Sequence, residues 1–108
     1  MPLAHTQRAL KATEVVANLA KLEGWKLSGD GDSVAIERSF TFDDFYQTMA
    51  FVNAVAFIAH KQNHHPELMV QHHQCRVQYR THNVGGISMA DFECASRIEA
   101  LLAEPAPA

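Results

Sequence analysis

Six of the seven histidines fall between His60 and His82. An imidazole titrates near pH 6.5, so small environmental differences make one ring an acid and its neighbour a base at neutral pH. His64, His65 and His82 are the candidates for such proton traffic. Pro66 fixes its own φ and restricts His65 to extended geometry, which holds the His-His pair rigid where a helix ends. No nucleophile accompanies them. Neither Cys75 nor Cys94 is set in a pattern that would activate a thiolate, and no Gly-x-Ser-x-Gly elbow, phosphate-cradling glycine loop or dinucleotide fingerprint occurs. General acid–base chemistry without a cofactor is what these residues suit.

The remaining polar residues read more plainly. His60 and His64 stand four apart, a spacing that chelates a metal from one helix face, but the Glu of an H-E-x-x-H motif is missing and the helix ends there. No metal site is expected. His72 and His73 read as exposed residues at a turn, and His5 as part of a loose terminus. Asp91 occupies the last position of Ser88-x-x-Asp91, where a carboxylate caps a helix N-terminus and can also orient an imidazole. Arg76 and Arg80 read as solvated sheet residues, and the isolated Cys75 and Cys94 as reduced thiols used for packing.

Alternating and helical periodicities supply the elements that must position these groups. Val15, Val16, Leu19 and Leu22 follow helical spacing over Thr13 to Leu22, and Gly24 supplies the stop. Trp25 to Leu27 and Ser33 to Phe40 flank Gly29-Asp30-Gly31-Asp32 and predict a β-hairpin. Thr41-x-x-Asp44 reads as a capping box opening a helix from Phe45 to about Gln62. That helix carries apolar residues around much of its circumference: Phe45, Met49, Val52, Ala56 and Ala59 on one face, with Phe51, Val55 and Ile58 beside it. It needs two partners, the domain's own sheet and, most economically, a second subunit.

A second hairpin is expected from Leu68 to His72 and Cys75 to Thr81, turning near His73-Gln74, which places His82 opposite His65 at its open end. Gly85-Gly86 breaks the chain, and a last helix follows with Phe92, Ala95, Ile98 and Leu102 on one face. The order α-β-β-α-β-β-α predicts an α+β, two-layer domain in which helices cover one face of an antiparallel sheet.

The size, 108 residues with 47% hydrophobic and 19% charged, fits one domain with its core over about 13–102 and frayed ends in the Pro-Ala-Pro-Ala tail. A formal charge of −3 argues against nucleic acid or anionic lipid as a partner held by bulk electrostatics. No run approaches the ~20 apolar residues of a membrane span, and the start of the chain lacks the pattern of a secretory signal, so a cytoplasmic protein is expected.

The arrangement of His60, His64-His65-Pro66, Thr81-His82 and Ser88-x-x-Asp91 resembles the pterin-4a-carbinolamine dehydratases, also known as the dimerization cofactor of a homeodomain transcription factor. Leu19, Gly24-Trp25, Phe45 and Phe51 also stand in family-like places, and the likeness runs from about Thr13 to Leu102. It implies a four-stranded antiparallel sheet with three helices, assembled as a homotetramer, a dimer of dimers packed through the second helix. It implies dehydration of a 4a-hydroxy-tetrahydropterin, left by an aromatic amino acid hydroxylase, to the quinonoid dihydropterin.

In that resemblance His64 and His82 are the acid–base groups, His65 binds and orients the pterin, and Asp91 fixes an imidazole. His60, His72 and Thr81 would line the substrate pocket. The chain departs from the family at two of these positions: many members have an acidic residue at His60, and most an aromatic at His72. The alternative the family offers is a protein-binding module, a transcriptional coactivator or an assembly factor, acting through the second helix.

Overall fold

Two hairpins build one sheet, and the helices between and around them cover one side of it. The structure, a computed structural model, describes residues 7–103; His5 and the tail 104–108 lie outside the described residues. Along the chain run α1 (Ala12–Leu19), β1 (Lys26–Ser28), β2 (Ala35–Thr41), α2 (Phe45–Gln62), β3 (Glu67–Gln71), β4 (Gln74–Tyr79) and α3 (Met89–Leu102), with single 3₁₀ turns at Gly31–Ser33 and His82–Val84. The sheet order is β1-β2-β4-β3, every neighbouring pair antiparallel. The α+β order and the four-stranded antiparallel sheet are those read from the sequence.

Period-two alternation explains the core. Ile36 and Phe40 of β2 and Cys75, Val77 and Tyr79 of β4 point inward and are buried, where they meet Phe51, Val55 and Ile58 of α2 and Phe92, Cys94, Ala95 and Ile98 of α3. Burying such side chains contributes roughly 1.5–3 kcal/mol each. Glu99 ties the far end of α3 to the first hairpin, accepting hydrogen bonds from Trp25 Nε1 at 2.8 Å and Arg38 Nη1 at 2.6 Å.

Several boundaries differ from the sequence reading, each for a local reason. Helix α1 ends at Leu19, before Leu22, because the carbonyls of Asn18 and Leu19 are taken by the tight turn that leads to Gly24. Thr41 does not cap α2. It stays in β2, paired with Gln74, and Asp44 is the cap, accepting from Gln47 N at 2.8 Å. The second hairpin turns at His72-His73 rather than His73-Gln74, since Gln71 pairs with Gln74.

That earlier turn slides the register by two residues, so His65 is not opposite His82 as expected. A two-residue slide keeps every side chain on its face, so Cys75, Val77 and Tyr79 face the core in either register. In α2 the domain buries Thr48, Phe51, Val55, Ile58 and Ala59, leaving Phe45, Tyr46 and Phe57 exposed. Leu102, expected on the buried face of α3, is exposed in its last turn.

Candidate active site

The end of α2, the end of β4 and the start of α3 meet at one carboxylate. Asp91 is fully buried, in the first turn of α3. Its Oδ2 accepts from Ser88 N at 3.0 Å, closing the capping box, and from Thr81 Oγ1 at 3.0 Å. Its Oδ1 lies 2.6 Å from His64 Nε2. A first-turn carboxylate satisfies orphan amides and is favoured by the helix dipole, so the acid that starts α3 is already held when it meets the imidazole.

Hydrogen accounting fixes the direction of this network. Ala90 N donates to Ser88 Oγ at 3.2 Å, and Thr81 spends its one hydroxyl hydrogen on Asp91. The 2.7 Å contact between Ser88 Oγ and Thr81 Oγ1 is therefore a donation by serine. Asp91, already an acceptor toward two groups, accepts from His64 as well. This accounting assigns the hydrogen of a neutral His64 to Nε2 and leaves Nδ1 with its lone pair. Asp91 thus caps the helix and meets the His64 ring.

His64 is aimed by the way α2 ends. Asn63 adopts the left-handed conformation with φ 51, and the chain closes a Schellman turn: Asn63 N donates to His60 O at 3.2 Å, and His64 N to Ala59 O at 3.1 Å. The same turn takes His64 off the helix, so His60 and His64 do not share a helix face despite their spacing. Tyr79, inward on β4, lies parallel to the His64 ring, with centroids 5.3 Å apart and planes 19° from parallel, and its hydroxyl donates to His64 O at 3.3 Å. Burial pushes the Tyr79 phenol up, keeping it a donor, and pushes the neighbouring Cys94 thiol up to about 11.

His82 follows Thr81 directly and His65 follows His64, so each has its Cα about 3.8 Å from a residue bonded to Asp91. Thr81 N donates to Gly86 O at 2.9 Å and Gly85 N to His82 O at 3.0 Å, which curls 82–86 into a small closed loop beginning with His82. Gly85, with φ 63, is the residue that permits the reversal. His64 is 12% exposed at its side chain, while His65, His82 and His60 are open to solvent.

The structure therefore joins His64 and Thr81 through Asp91, and His65 and His82 are their neighbours along the chain. His60 is an exposed residue in the last turn of α2. His72 is not part of this arrangement within one chain: it sits in the turn at the other end of β3, its carbonyl accepting from Thr48 Oγ1 at 3.2 Å, roughly 20 Å away by the rise of a strand. Two residues that matter here were not singled out in the sequence. Asn63 carried a signal, an Asn between a helix and a following Pro. Tyr79 carried only its inward parity with Thr81.

Comparisons with known proteins identify the family. The profile of the family described as pterin 4 alpha carbinolamine dehydratase matches residues 8–101. A Paracidovorax citrulli protein provisionally named a pterin-4-alpha-carbinolamine dehydratase is 57% identical over 100 residues, covering 93% of this chain and 86% of its own. A Nitrosomonas eutropha protein with the same provisional name is 48% identical, covering 86% and 80%.

Among solved structures, a transcriptional coactivator/pterin dehydratase from Brucella melitensis superposes with a TM-score of 0.82 at 30% identity, covering 89% of this chain and all of its own. A pterin dehydratase-like protein identified as a RuBisCO assembly factor in the alpha-carboxysome shares the fold, with a TM-score of 0.63 at 21% identity over 77% and 94%. Matched along nearly its whole length, this chain belongs to the pterin 4 alpha carbinolamine dehydratase family.

Proposed function

We propose that the protein dehydrates a 4a-hydroxy-tetrahydropterin to the quinonoid dihydropterin. The observation that carries this reading is the 2.6 Å contact that holds Nε2 of the 12%-exposed His64 side chain to a buried carboxylate. In the reaction a base removes the N5 proton, the N5–C4a double bond forms, and the C4a–O bond breaks. An acid protonates the leaving hydroxyl, which departs as water. One proton is taken and one returned, so paired imidazoles suffice and the elimination calls on no cofactor.

His64 and His82 are the acid–base groups, acting from two sides of the 4a-carbon, and His65 orients the ring. Thr81 and Asp91 hold His64, and His60 lies at the rim. The carbinolamine is the product of a pterin-dependent aromatic amino acid hydroxylase, which places the task in pterin recycling in the cytoplasm. No helix among the described residues is long and apolar enough to cross a membrane. Helix α2 also supports assembly into a homo-oligomer, a tetramer built as a dimer of dimers, through its exposed aromatic face.

The test is the decay of freshly generated 4a-hydroxy-tetrahydropterin, followed by absorbance with catalytic amounts of protein. Acceleration by the intact chain should fall by roughly 10²–10⁴-fold in His64→Ala and in His82→Ala. No acceleration by the intact chain sinks the reading. It would favour the binding-module alternative, for which Tyr46 at 84% and Phe57 at 64% exposure on α2 are the supporting observation.

A further inference from the structure

The inward residues of the second hairpin strand change character toward the site: Cys75 and Val77 are apolar, Thr81 bonds to Asp91, and between them stands Tyr79, fully buried. A leucine or phenylalanine would fill that place in an apolar core without bringing in a hydroxyl that must find a partner. The hydroxyl instead donates to the carbonyl of His64, and the ring lies against the imidazole of the same residue. Among the described residues it is the one aromatic ring stacked on His64.

One hydrogen bond at Nε2 holds one atom of the His64 ring and leaves the imidazole free to rock about its Cβ–Cγ bond. A flat surface against the ring removes that freedom. The rocking would sweep Nδ1, the nitrogen left available by the Asp91 contact, through an arc, and misplacing a proton-transfer atom by about 1 Å can cost on the order of 10²-fold in rate. We propose that Tyr79 is a positioning residue that sets the plane of the His64 imidazole, through its ring face more than through its hydroxyl. The proposal rests on the dehydratase reading for its kinetic arm and on geometry alone for its spectroscopic arm.

The experiment compares the full-length wild type with Tyr79→Phe and Tyr79→Leu. Each is measured for kcat and KM on 4a-hydroxy-tetrahydropterin and, without substrate, for the His64 ring by proton–nitrogen correlation NMR. In wild type and Tyr79→Phe the hydrogen on Nε2 should give a low-field, slowly exchanging signal, and kcat should agree within about threefold. Tyr79→Leu should lower kcat by about 10–100-fold, leave KM within about twofold, and broaden or abolish that signal.

Wild-type kcat with an intact signal in Tyr79→Leu overturns the proposal, as does a rise in KM alone. If Tyr79→Leu does not fold, the other two proteins decide. A wild type carrying its hydrogen on Nδ1, or a tenfold loss in Tyr79→Phe, contradicts the ring-face assignment, and agreement of both with expectation supports it. A wild type that accelerates nothing overturns the dehydratase reading, while the NMR comparison still decides whether Tyr79 holds the ring.

Discussion

Asp91 separates a structural from a chemical use of one side chain. Its two oxygens receive three hydrogens, from Ser88, Thr81 and His64. Asparagine in its place has a single acceptor oxygen, so Asp91→Asn turns an amide N–H₂ toward at least one of these donors. If that amide faces His64, it donates to Nε2 and drives the ring hydrogen to Nδ1, the wrong tautomer for proton transfer. If it faces Ser88 and Thr81, the reciprocal half of the α3 capping box is lost, and Ser88 N–H and the Thr81 hydroxyl lose their carboxylate acceptor. The expected outcome is a loss of about 1–3 kcal/mol in denaturant unfolding together with a 10²–10⁴-fold fall in kcat. A variant that unfolds more easily but dehydrates at the wild-type rate would leave Asp91 only its cap.

The elements show which parts of the molecule periodicity can and cannot reveal. Inward and outward residues of β2 and β4, the existence of all three helices and the Ser88-x-x-Asp91 cap were legible, because each is written in spacing along a single segment. The exact turn was not, since His72-His73 and His73-Gln74 are chemically alike and neighbouring residues decide between them: Phe42 N donates to His73 O and Thr48 Oγ1 to His72 O. The ring of Tyr79 against His64 was hidden for the same reason: it joins a strand to a helix end, and nothing in either segment states the distance.

Asn63 is the local device that makes this meeting possible. A β-branched residue at φ 51 is strained by about 1–2 kcal/mol, whereas glycine accepts that conformation. Asn63→Gly should keep both stability and dehydration. Asn63→Val should lower Tm by several degrees and also lower kcat among molecules that remain folded, as His64 leaves its line to Asp91. Equal kcat in the two variants would show that the helix end does not aim the ring.

At the scale of the whole molecule, the contacts that hold the site gather around Asp91, and the surface suited to assembly runs along α2. His64, Thr81 and Ser88 hydrogen-bond to Asp91, whereas the outward face of α2 presents Tyr46 and Phe57 to solvent, with Phe45 beside them. Tyr46 lies sixteen residues before Gln62, the end of α2, about 24 Å along the helix at 1.5 Å per residue, while Phe57 lies within two turns of that end. Exposed aromatics of this kind, on an acidic protein of 12.0 kDa, are best covered by the same face of another copy, because a twofold pairing places each apolar row against itself. Sedimentation of the wild type at micromolar concentration should therefore show a species heavier than the monomer. Tyr46→Lys combined with Phe57→Lys should return it to the monomer, because like charges would then face one another across the axis. If the site is complete within each chain, dehydration per chain in that double variant stays within about threefold of wild type. Loss of activity in step with dissociation would mean that a neighbouring copy supplies part of the pterin pocket, and a wild type that sediments as a monomer would remove the second partner that the breadth of α2 calls for.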